Sequence, residues 1–186
     1  MTLASLLSII LVGIISGNVI SSSMVGVDLA GNNLNSIKNG LVLSLIVFGV
    51  SLVAGIGVFV INLALVASGN SGFLVVAAFL FVAVLVQIAE YILEKFFPIV
   101  HTNLGGFIVT LIPAVAVILF SIFTSEIKFL ELLLNIVFVN LGITLVLTII
   151  AGVRQNKLTY SSYDVFKGNL MTLAILFVLA ILWTAV

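Results

Sequence analysis

The residues of this sequence with chemistry to offer are the few polar side chains set inside long apolar runs. Gln87, Glu90 and Glu94 stand at i, i+3 and i+7, a spacing that places them on one helix face. A carboxylate at the centre of a bilayer costs roughly 3 kcal/mol on insertion scales, so it faces protein or water. Two readings stand for Glu90: part of a cation or proton path along that face, or a solvated group near the membrane surface. Glu94 reads as solvated. Asn140 lies deep in another run, where an amide seeks an interhelical hydrogen bond. It is packing glue on the simpler reading and a polar centre on the sharper one. Asp28, in the stretch GVDLAG, is a loop-capping carboxylate or a cation contact. His101 falls in a loop and reads as solvated. One histidine and no cysteine exclude a poly-histidine metal site, disulfides, thiolate zinc, a cysteine nucleophile and a self-ligated iron–sulfur cluster. There is no P-loop, GxSxG or HExxH motif. No catalytic or metal-ligating set emerges.

The elements that must position these groups follow from composition. Of 186 residues, 63% are hydrophobic and 6% charged, and the mean hydropathy is +1.51. An ordinary globular domain carries about 25% charged residues. So few polar groups cannot cover a water-facing surface, which excludes a soluble enzyme, a nucleic-acid binder and a disordered chain. Six Lys/Arg balance six Asp/Glu, leaving no basic patch for anionic partners. The chain reads as an integral membrane protein whose first partner is membrane lipid.

Crossing the hydrocarbon core takes about 20 apolar residues in a helix. Six runs qualify, at approximately 3–25, 41–67, 73–93, 104–123, 129–153 and 170–186. They are rich in Val and Ile, but too long for strands and without the alternation of a membrane barrel. The expectation is an all-α, single-domain transmembrane protein of six helices. The first run lacks a basic flank and reads as a retained helix rather than a signal peptide. Lys38, Lys95, Arg154, Lys157 and Lys167 fall in the first, third and fifth loops, and Lys128 alone on the other side. This asymmetry puts those three loops in the cytoplasm and both termini outside it, in a cell (inner) membrane.

Six spans divide into two inverted sets of three. The first span contains Gly17 and Asn18; the fourth opens with Gly105 and Gly106 and contains Pro113. Interruptions at corresponding places of two halves point to a functional centre near the midplane, although Gly and Pro are also common as plain kinks. Ser51 and Gly55 form a small-xxx-small pair suited to close helix packing.

The run VLVQIAEYILEKFFPIVHTNLGGFIV (84–109) resembles the matching stretch of the RnfA/NqrE-type membrane subunits of Rnf and Nqr ion-translocating electron-transport complexes. Gln87, Glu90, Lys95, Pro98, Leu104 and Gly105 or Gly106 carry the likeness. Phe166-Lys167-Gly168 before the last span and the Asn18–Gly26 spacing add to it. The resemblance covers nearly the whole chain. It implies an inverted repeat of three plus three helices, with helices 1 and 4 interrupted, beside a sister six-helix subunit of opposite orientation. It also implies an iron–sulfur cluster shared by the sisters near mid-membrane, with flavin or iron–sulfur proteins as redox partners. At the positions matching the family's cluster cysteines, this sequence has Asp28 and, in the fourth span, about Ala116. A carboxylate replaces a thiolate poorly on iron, and alanine cannot ligate.

The resemblance therefore supports the scaffold and leaves the electron relay open. The expectation is a membrane subunit of a redox-driven ion translocase that holds no cofactor by itself, with flavin or iron–sulfur groups on its partners. The alternatives are a non-redox transporter or a membrane anchor built on the same scaffold.

Overall fold

A computed structural model describes residues 14, 36–104, 107–124, 128–160, 174, 177 and 178. Their elements are helical: α1 (Ile37–Ala67), α2 (Leu74–Phe96), α3 (Pro98–Leu104), α4 (Phe107–Thr124) and α5 (Phe129–Tyr160), with a single 3-10 turn, Ser71–Phe73. Backbone polar groups in lipid must be satisfied within the chain, so apolar runs of this length become helices despite their β-branched residues. Three stretches are long and apolar enough to cross a membrane: Ile37–Ala67, Ser71–Phe96 and Phe129–Val153. They coincide with the expected second, third and fifth spans. α4 matches the fourth. Nearly all of the first and sixth lies outside the described residues.

Local chemistry sets the helix ends. The Ser36 hydroxyl accepts from the Asn39 N–H at 3.3 Å and caps α1, as serine does at many helix starts. At the other end Gly69 takes φ +74°. The Asn70 N–H then reaches the Leu65 carbonyl at 2.9 Å and the Gly69 N–H the Val66 carbonyl at 3.1 Å, a Schellman closure that needs a left-handed residue. α2 stops at Phe97 because the residue before a proline disfavours helix. Pro98 then opens α3, a position where its missing N–H costs nothing.

Two expectations are corrected here. Pro113 does not interrupt its span: α4 runs helically through it. A proline removes one backbone bond, and neighbouring helices satisfy the freed group; the Pro113 ring is buried. The fifth loop, expected from residue 154, begins later. α5 continues to Tyr160, one helix that runs on past the apolar span ending at Val153.

Among the described helices, α1 and α5 share the most extensive packing and run antiparallel. The evidence is their register: Gly40 lies against Leu147 and Ala151, Gly55 against Ile136, and Gly152 against Ile37. Side chains at helical spacing fill the seam, among them Val47, Ala54 and Val58 on α1 and Leu132, Ile136, Val139 and Ile143 on α5. Ser51 and Gly55 are buried in this packing. The seam is closed at one end by the Gln155 side chain, which accepts from the Ile37 N–H at 3.2 Å. α2 packs on α1, where Gly57 admits the Phe81 ring, and α4 packs on α1, α2 and α5.

Candidate functional site

α2 buries a stripe of Leu74, Ala78, Val82 and Val86. The next member of that series is Glu90. Helical spacing thus carries the carboxylate toward the bundle at the last turns of α2, where its side chain is 13% exposed. Gln87 and Glu94 are exposed. Of the three, only Glu90 continues the buried stripe, and its neighbours at i−3 and i+4 flank it.

Glu90 meets His101. The break at Pro98 lets α3 turn back on α2, and His101 Nε2 stands 2.7 Å from Glu90 Oε1. This corrects the expectation of a solvated loop histidine. His101 belongs to α3 and its side chain is 28% exposed. The pair joins an acid and a base across the chain's turn at the end of α2, an arrangement able to hold a proton between two elements or to hand a carboxylate to a cation. Lys95 lies outside the pair, its Nζ 5.9 Å from the centroids of both the Tyr91 and Phe96 rings. The missed signal was Pro98 itself: a proline that starts a helix puts the residue three positions on, His101, one turn inside it.

Asn140 lies midway along the apolar part of α5 and is 2% exposed. Its expected interhelical bond is not made. Nδ2 donates to the Ile136 carbonyl of its own helix at 2.8 Å, while Oδ1 is buried and has no partner. The helix's own carbonyl one turn back is always within reach of such a side chain, whereas a donor on α1 would have to be supplied by sequence. Asn140 faces a half-open groove between α1 and α5, far along the chain from Glu90, and the two polar centres remain separate.

Ala116 is half-buried on α4 and presents a methyl group. Gly17, Asn18, Asp28, Gly105 and Gly106 lie outside the described residues. Among the described residues no cluster of His, Asp or Glu is suited to a metal ion. The donor set does not fit an iron–sulfur cluster held in the family manner, since neither Asp28 nor Ala116 supplies a thiolate and the chain has no cysteine.

Long apolar helices packed on one another define a multi-pass α-helical membrane protein. The chain's family is more specific. The family model of the Rnf-Nqr subunit, a membrane protein, matches residues 6–186, and the chain belongs to that family. No curated protein sequence matches it.

Proposed function

We propose that this chain is a membrane subunit of a redox-driven ion-translocating complex of the Rnf/Nqr type that supplies no iron–sulfur ligands of its own. The observation that carries the reading is the family match over residues 6–186. Electrons pass on partner chains, which are a sister six-helix subunit and flavin or iron–sulfur proteins. The ion-handling part falls to Glu90, whose inward placement and contact with His101 suit a carboxylate that exchanges a proton or cation. The chain sits in the cell membrane with both termini outside the cytoplasm.

A second reading, a non-redox transporter or anchor on the same scaffold, is favoured by Asp28 and Ala116 standing where the family's cysteines would be. Mass spectrometry of what co-purifies from native membranes in mild detergent separates the two. A sister six-helix chain together with flavin-carrying or iron–sulfur proteins is expected. Recovery of the chain alone, or with non-redox proteins, would overturn the first reading in favour of the second.

A further inference from the structure

The contact between Glu90 and His101 carries information about which ion the carboxylate exchanges. His101 Nε2 lies 2.7 Å from Glu90 Oε1. Two lone pairs cannot approach this closely, so a hydrogen stands between the two atoms. The pair therefore holds at least one proton. With Glu90 ionised, that hydrogen is on Nε2 and the Nδ1 lone pair is free. A second proton adds at Nδ1, and imidazole is the side chain that takes and gives a proton near neutral pH. The charge of the pair goes from minus one to zero as that N–H bond forms, and returns when water takes the proton away. The hydrogen between Nε2 and Oε1 stays in place in both states, so α3 need not leave α2.

A metal cation meets more obstacles. To be held by both oxygens of Glu90 it must displace the imidazole, and to shed its water it needs further oxygen ligands. Among the described helices, α1 and α4 pack on α2, and α1 also on α3. They bring no carboxylate: α4 has no charged residue and α1 has only Lys38. α3 has no Asp or Glu, and its Thr102 hydroxyl donates to the α3 backbone, at the Pro98 and Ile99 carbonyls. On α2 itself, Tyr91, Glu94 and Lys95 are exposed. We propose that the Glu90–His101 pair is a proton site that does not take Na⁺ or K⁺. This rests on the reading of Glu90 as the ion-handling group and names its ion.

The chain has one histidine, so isotope-labelled histidine reports on His101 alone. The test is nitrogen NMR of the full labelled chain in phosphatidylcholine vesicles, between about pH 5 and 8, at rising NaCl or KCl with choline chloride holding the ionic strength constant. Nε2 is expected to keep its hydrogen throughout, Nδ1 alone to gain one as the pH falls, and the midpoint to be the same in all salts. A cation competing one for one with the proton would move the midpoint by about tenfold in proton concentration for each tenfold rise in salt. Such a shift overturns the proposal and leaves Glu90 as a cation-exchanging group. A mixture of the two neutral tautomers at the upper end of the range also overturns it, since the pair is then not held. An Nδ1 that takes no proton, with no response to either cation, overturns both the proposal and the ion role of Glu90. In the assembled complex, His101→Gln is expected to lose the pH dependence of ion-coupled transport over the same range. An unchanged pH profile would overturn the proposal, and the NMR comparison stands even if this variant fails to fold.

Discussion

At the scale of single residues, Glu90 and Ser51 differ in how they are satisfied. Glu90 has a partner within 2.7 Å in His101. Glu90→Gln keeps the shape and a hydrogen bond to the imidazole but removes the charge. Ion-coupled transport by the complex is expected to fall about tenfold, equivalent to about 1.4 kcal/mol, with the amount of folded protein unchanged by size-exclusion chromatography. Undiminished transport would remove Glu90 from the ion path. Ser51 tests the opposite case. Its hydroxyl is buried with no partner, and such a group stabilises nothing while its desolvation costs about 1–3 kcal/mol. Ser51→Ala is therefore expected to leave the melting temperature in detergent unchanged or raise it, and a drop would reveal a bond that the hydroxyl makes in the membrane.

At the scale of elements, close approach of backbones is the organising device. A Cβ built on Gly142 would sit 2.7 Å from the carbonyl oxygen of Ile14, so α5 at that point admits the main chain of Ile14 and nothing larger. Backbone cannot rotate aside as a side chain can. Gly142→Val is expected to cost about 2 kcal/mol or more through overpacking, read as a lower melting temperature and earlier protease cleavage near residue 14. Gly55 is more forgiving, since the atom it faces is the flexible end of Ile136. The element boundaries were largely legible in the sequence because polar clusters such as SGNSG (68–72) bracket uniform apolar runs. What escaped reading was tertiary. Whether Pro113 breaks a helix depends on the neighbours that pack around it. Whether His101 meets Glu90 depends on the direction α3 takes after Pro98. Whether Asn140 bonds across or along its helix depends on what α1 offers opposite.

For the whole molecule, burial is uneven. Half of the α5 span is buried within the chain, against 22% of the span that contains α2. Phe79, Leu80, Val84 and Tyr91 are among the side chains that α2 leaves exposed, which is ordinary for lipid contact and leaves this flank open to other membrane chains. The sequence carries no cysteine, so single cysteines can be placed without first removing any. Cysteines introduced at Lys38 and Gln155 are expected to react with a membrane-impermeant maleimide from the cytoplasmic face, and one at Asn70 from the outer face. The reverse pattern would invert the assigned orientation.

The antiparallel clasp of α1 and α5 also sets a schedule. Ile37 and Gln155, which close one end of it, are 118 positions apart. A ribosome adding ~5–20 residues per second needs roughly 6–24 s to cover that distance. During that interval the glycine-notched seam of α1 is without the helix that fills it. The rate of translation between the two helices thus becomes a determinant of yield: pausing prolongs the orphaned state of α1, and splitting the gene between them converts a timed intramolecular closure into a search across the membrane.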